Sequence, residues 1–108
     1  MVFIESKAFT KAASELLFED ELLEIRKRLL RDPRLGTVIP GTNGLRKLRA
    51  GQRLRGKGSR GGLRIIYYFL ERKAHLHLLL LYHKGDKADL TAKEKAVLRA
   101  LVDEIEKS

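Results

Sequence analysis

Phe9, Ala12, Ala13, Leu16 and Leu17 recur at i, i+3, i+4, i+7 and i+8, the spacing of one helix face. Leu22, Ile25 and Leu29, joined by Leu23 and Leu30, repeat that period over a second helix, which Asp20 can cap. Asp32-Pro33 ends it, because the residue before a proline is pushed out of the helical region. Two amphipathic helices joined by a short turn make a helical hairpin that needs an apolar surface to pack on. A sheet supplies it. Val2-Phe3-Ile4 reads as a short strand, and the turn signal Pro40-Gly-Thr-Asn-Gly44 leads into strand-like residues 45–50. Residues 63–70 concentrate β-branched and aromatic side chains as a central strand does. Residues 75–82 form its antiparallel partner across a polar turn at 71–74. Thr91-Ala-Lys-Glu94 matches a capping box and opens a last helix with Val97, Leu98, Leu101 and Ile105 on one side. The expected fold class is α+β: a helical hairpin and a C-terminal helix packed on a mostly antiparallel sheet of four strands. One domain over residues 1–108 accounts for the pattern, with no internal repeat and no linker.

Composition narrows the chemistry. The 108 residues are 44% hydrophobic, enough for one globular core, and contain no cysteine. That removes disulfides, thiolate metal sites and a Cys nucleophile. Apolar runs such as Leu78 to Tyr82 are far short of the roughly 20 residues of a membrane span. Met1-Val-Phe-Ile-Glu5 lacks the basic start of a signal peptide, so a cytoplasmic protein without membrane attachment is expected.

Charge changes the picture most. Lys and Arg number 23 against 14 Asp and Glu, a net of +9. Arg46, Lys47, Arg49, Arg53, Arg55, Lys57, Arg60 and Arg64 fall within one stretch that has no acid. The rest of the chain is close to neutral. A charge gathered in this way points to a polyanionic partner rather than to solubility. Residues 51–62 also hold five of the nine glycines and read as a mobile basic loop.

Other chemistries find little support. Of the three histidines, His75 and His77 share a strand face without a nearby third ligand, the ordinary pattern of a half-buried surface pair. His83, beside Tyr82 and Lys84, has the better functional claim. Most acids are interleaved with Lys and Arg on helix faces; Glu5, Asp86 and Asp89 are exceptions without an informative pairing. Gly56-Lys57-Gly58 is followed by no Lys-Ser/Thr and no helix, so it is not a phosphate-binding P-loop. A cationic site remains. Arg64 ends the glycine-rich segment and starts an apolar strand, so its guanidinium is expected to project into solvent toward a phosphate. Tyr82 and Lys84 return to its level. If Arg64 pairs opposite Tyr82 they share a face; a slip of one residue separates them. The turn lacks the Asn-Gly signal that would set this register. Lys47 and Arg49 share a face of the preceding strand. Such a site can bind phosphate, or it can cut RNA. In cutting, a base takes the 2′-hydroxyl proton, cations stabilise the charge that develops on the phosphate, and an acid protonates the departing 5′-oxygen. Lysine or tyrosine serves as base only where cations lower its pKa, and the Arg/Lys density here is expected to do so.

Pro40-Gly-Thr-Asn-Gly-Leu-Arg-Lys-Leu-Arg49, Gly56-Lys-Gly-Ser-Arg-Gly-Gly-Leu-Arg-Ile-Ile-Tyr-Tyr-Phe69 and Leu81-Tyr-His-Lys84, in this order and spacing, resemble the HigB-like branch of the RelE/ParE toxin superfamily. The likeness runs from Phe3 through the helix after Asp89. It implies the toxin of a type II toxin–antitoxin pair with a small RelE-like fold. RelE-type members cut mRNA in the ribosomal A site by metal-free 2′-OH attack, with no cofactor. By this resemblance Arg64 contacts the scissile phosphate and Lys84 assists it. Lys47 fits the basic position on the strand before the loop, with Arg49 or Arg46 next. Arg46, Arg49, Arg53, Arg55, Lys57 and Arg60 bind RNA, and Tyr82 acts as acid or base. The chain lacks the tyrosine that some members carry in the last helix. His83 is a partial substitute, although strand alternation turns it away from Tyr82 and Lys84 unless a bulge intervenes. The implied partners are the ribosome and mRNA, together with a cognate antitoxin, expected to be a helix-turn-helix protein through which alone operator DNA would be met.

Three functions are open at this stage: the mRNA endonuclease, a ParE-like inhibitor of DNA gyrase, and a non-catalytic RNA- or ribosome-binding module. The basic segment favours RNA, since a gyrase inhibitor needs no phosphate site. Replacing Arg53, Arg55, Lys57 and Arg60 together should weaken ribosome or RNA binding and flatten its salt dependence, because fewer counterions are released. An unchanged salt slope would remove this segment from the nucleic-acid footprint.

Overall fold

The structure is a computed structural model that describes residues 1–50, 62–87 and 89–108. Strand β1 (Val2–Glu5) leads into helices α1 (Lys7–Leu16) and α2 (Glu19–Arg31). Strands β2 (Thr37–Val38), β3 (Arg46–Ala50), β4 (Leu63–Leu70) and β5 (His75–His83) follow, and α3 (Ala92–Lys107) closes the order. The sheet runs β1-β5-β4-β3-β2, with β1 parallel to β5 and the other pairs antiparallel. It has five strands rather than the expected four. The addition is β2, whose two residues are too few to show a period.

The helical hairpin covers one face of the sheet and α3 the other. Phe9, Ala13, Leu17, Ile25 and Leu29 pack on Leu48, Leu63, Ile65, Tyr67, Leu76, Leu78 and Leu81. Leu98, Val102 and Ile105 pack on Leu45, Ile66, Tyr68, Leu70 and Leu79. β4 is therefore buried on both sides, which is why it reads as an almost unbroken apolar run. Several expected core positions are corrected. Leu23 and Leu30 of α2 face solvent, and in α3 Val97 is 61% exposed while Val102 takes the core position. The N-cap of α2 is Phe18, whose backbone N–H donates to the Glu21 carboxylate at 2.9 Å; Asp20 lies inside the first turn. The capping box at α3 forms as expected, with Glu94 N–H donating to Thr91 Oγ1 at 3.1 Å and Thr91 N–H to Glu94 Oε1 at 2.9 Å.

The β4–β5 ladder changes step partway. From the turn outward, Leu70↔His75 to Tyr67↔Leu78 are in one register, and from Ile66↔Leu80 to Leu63↔His83 the register has moved by one residue. Leu79 is the extra residue, a β-bulge. Its carbonyl accepts the Ser6 hydroxyl at 2.7 Å, and the same Ser6 oxygen accepts Phe9 N–H at 2.9 Å as the N-cap of α1. One side chain thus caps the first helix and ties it to the bulge. Ser6→Ala should destabilise the protein by about 1–3 kcal/mol, from a lost cap plus an unpaired carbonyl. Ser6→Thr, which keeps the hydroxyl, should recover most of that. Urea unfolding of the three proteins measures it, and a Ser6→Ala midpoint equal to wild type would show that the bulge does not depend on Ser6.

Candidate functional site

The C-terminal ends of β3 and β5 meet the N-terminal end of β4 at one end of the sheet. The register beyond the bulge places Arg64 opposite Tyr82 on one side and opposite Arg49 on the other. Arg49, Arg64 and Tyr82 therefore form one row across three strands, and Lys47, Ile66 and Leu80 form the next row on the same, α3-facing side. Two arginines directly opposed across an antiparallel pair repel each other. Lys84 follows in the turn after β5 and is exposed, its backbone N–H donating to the Gly62 carbonyl at 3.2 Å.

An open hollow of about 510 Å³ lies at this end. Lys47, Arg49, Arg64 and Lys84 line it, joined by Arg28 of α2. Leu35, Thr37 and Leu48 complete the wall, and no carboxylate is among the lining residues described. The hollow exists because β2 is so short. Pairing stops at Thr37↔Lys47, and the chain leaves the sheet through Gly36. A Cβ on Gly36 would lie 2.8 Å from the Tyr67 ring and 2.9 Å from the Lys47 carbonyl. Tyr67 fastens this departure, its hydroxyl donating to Pro33 O and accepting Gly36 N–H, each at 2.8 Å.

Arg46 does not join the cluster. Paired opposite Tyr67, it is on the helical-hairpin side, and its guanidinium donates to the carbonyls of Gly36 at 2.7 Å and Arg34 at 3.1 Å. These bonds anchor the segment before β2. Arg53, Arg55, Lys57 and Arg60 lie outside the described residues. Arg64 is not the solvent-facing side chain expected: it is 7% exposed, and its Nη1 donates to the Leu63 carbonyl at 3.2 Å. Glu5 is held by Arg26 and by the Thr10 hydroxyl.

Tyr82 also differs from expectation. Burial pushes its phenol above the ordinary 10.0, Asp89 and Glu94 push the same way, and Arg64 opposes them. The nearby cations therefore do not make it a ready base; it keeps its proton. Its hydroxyl is buried without a hydrogen-bond partner among the described residues, and the Lys87 ammonium lies 5.6 Å from its ring centroid. Asp89, which showed no informative spacing in the sequence, approaches Lys47 at 3.8 Å. His83 pairs opposite Leu63 on the other face from Tyr82, its Nδ1 accepting Gly85 N–H at 2.9 Å. The bulge lies earlier in the strand and does not bring His83 round. His75 and His77 contact edge to face at 6.2 Å, and burial, then His75, lowers the pKa of His77. Among the described residues no three His, Asp or Glu side chains gather as metal ligands, and no helix is long and apolar enough to cross a membrane.

No family model matches the chain. Among solved structures it is similar to a double arginine-to-alanine mutant of the E. coli toxin RelE in the free state, with a TM-score of 0.56 and 15% identity over 81% of this chain and 86% of that one. It is also similar to the intact E. coli RelBE toxin–antitoxin complex, with a TM-score of 0.55 and 16% identity over 74% of this chain and 92% of that one. At such identities the likeness is one of architecture, and in architecture this chain has the fold of RelE.

Proposed function

We propose that the chain is the toxin of a type II toxin–antitoxin pair and cleaves mRNA on the ribosome by attack of a ribose 2′-hydroxyl on the adjacent phosphodiester. The observation that carries this reading is the row Arg49–Arg64–Tyr82 beside a hollow lined by five cations and no described carboxylate. The RelE fold supports it, and the RelBE neighbour, a toxin with its antitoxin, supports a protein partner that covers the site. A helix-turn-helix antitoxin, operator contact through that antitoxin alone and a cytoplasmic setting belong to the same proposal. A DNA gyrase inhibitor of this fold would have no use for opposed arginines beside a cationic hollow.

The chemistry needs an acceptor for the 2′-hydroxyl proton, cations for the charge on the five-coordinate phosphorus and a proton donor for the leaving 5′-oxygen; solvent water in the open hollow takes the first proton. Arg64, aided by Lys84, Lys47 and Arg49, supplies the charge. Arginine suits Arg64's position because its planar fork meets two phosphoryl oxygens at once. Tyr82, protonated at neutral pH, is the donor. Contact with substrate requires the segment carrying Lys87 and Asp89 to shift, since the hydroxyl is buried in the free chain. The reaction needs no metal in this scheme, and it leaves a 2′,3′-cyclic phosphate.

Arg64→Ala should abolish growth arrest and slow cleavage of translated mRNA by about 10²–10³, with Arg64→Lys recovering part. Because Arg64 is buried, truncation should also lower the melting temperature, so the lysine variant carries the comparison. Primer extension on mRNA from induced cells gives the readout. A folded Arg64→Ala protein that still cuts within translated codons would take Arg64 out of the site. Absence of cuts from wild type, with ribosome binding intact, would favour the non-catalytic module.

Tyr82 loses its proton only as pH rises through a value above 10.0, so its contribution as an acid is fully present below that value. The wild-type cleavage rate should therefore not fall between about pH 7 and 9, and Tyr82→Phe should lose about 10²–10⁴ in rate across that range. A descending limb inside that window, or a Tyr82→Phe rate near wild type, would exclude Tyr82 as the donor.

A further inference from the structure

Arg26, Lys27 and Arg28 form a basic run on α2 that reads in the sequence as a solvated helix face. The structure treats the three differently. Arg26 pairs with Glu5 and Lys27 with Glu24 at 3.7 Å. Arg28 is half-buried, has no side-chain ion pair or hydrogen bond among the described residues, and lines the hollow. It comes from the helical hairpin, on the opposite side of the sheet from Tyr82. The hollow also contains Leu48, which faces the hairpin, and Arg49, which faces α3, so it passes round the open edge of β3.

Charge counting shows what this second side is for. Lys47 has Asp89 at 3.8 Å, whereas Arg28, Arg49 and Lys84 have no carboxylate within ion-pair distance among the described residues. One phosphodiester carries one negative charge and leaves most of that excess in place. A hollow of about 510 Å³ is also of the size that holds a ligand larger than a single phosphate group. We propose that Arg28 binds the phosphodiester next to the one at Arg64, so that the RNA strand turns round the β3 edge and is held from α2 as well as from the sheet. This rests on the reading of the hollow as an RNA-cleaving site.

The test uses the full chain and 2′-deoxy oligonucleotides that cannot be cut: a dinucleotide with one phosphodiester and a trinucleotide with two. Arg28→Ala should weaken trinucleotide binding about tenfold, the scale of one charge-assisted hydrogen bond, and leave the dinucleotide nearly unchanged. Its salt slope on the trinucleotide should fall by about 0.7, the loss of one phosphate contact to a single strand. Arg64→Ala should weaken both ligands. Lys27→Ala, which removes the same charge outside the hollow, should affect neither. Arg28→Gln, which keeps most of the side-chain stem, should behave as Arg28→Ala, separating binding from packing, and Arg28→Lys should recover part. If Arg28→Ala matches Lys27→Ala, or weakens both ligands equally, the second phosphate site is overturned while the Arg64 site stands. If wild type binds neither ligand, or Arg64→Ala changes neither, the active-site reading falls and this inference falls with it.

Discussion

The hydrogen bond from Ser6 to the Leu79 carbonyl holds the point on which the site depends. A bulge leaves backbone groups outside the ladder, and a buried carbonyl left unpaired would cost about 1–3 kcal/mol. Ser6 removes that cost while it caps α1. The consequence is felt toward the far end of β5. In the register near the turn, Tyr82 would not stand opposite Arg64 and would fall on the helical-hairpin face. One extra residue at Leu79 reverses the parity of everything after it, moving Tyr82 to the α3 side and Leu81 and His83 to the other. A fold-level interaction at the start of the chain thus selects which side chain stands beside Arg64.

Much of this architecture is legible in the sequence, for a physical reason. Helices α1 and α3 and strand β4 each bury a surface wide enough to impose a period or an apolar run, so composition reports them. Errors arise where the local signal has more than one solution. Leu22, Leu23, Ile25, Leu29 and Leu30 span too wide an arc for all to face one sheet, and packing leaves Leu23 and Leu30 in water. Val97 and Val102 are both compatible with the α3 period, and only the position of the sheet decides between them. β2 has no period at all; the Gly36 approach to Tyr67 and the Arg46 contacts to the Gly36 and Arg34 carbonyls create it.

The site divides in the same way. Concentrated charge marks the cationic segment, alternation alone groups Lys47 with Arg49, and Arg64 joins Tyr82 only once the register is known. Arg46 is indistinguishable from its neighbours in sequence, yet its parity turns it toward the hairpin. Arg28 is hidden for the opposite reason: it belongs to a different layer, and its basic neighbours disguise it as surface. The shift at Tyr82 has no local signature either, because burial and Asp89 act through space.

A sheet covered on both faces has only its ends and edges left for chemistry. β4 shows this most clearly, with Leu63 to Tyr68 buried and its one arginine near the end where the hollow opens. There the structure tolerates arrangements a stability optimum would avoid: Arg49 directly opposite Arg64, a phenol hydroxyl without a hydrogen-bond partner among the described residues, and five cations with only Asp89 near Lys47 among the described carboxylates. Each is unfavourable in the free chain, and each becomes favourable when an anion enters. The apolar cores on either side hold β3 and β4 in this register, so the two arginines stay opposed. On the proposed reading, a phosphodiester entering the hollow neutralises part of this charge, and an antitoxin that covers this end does so with acidic groups of its own.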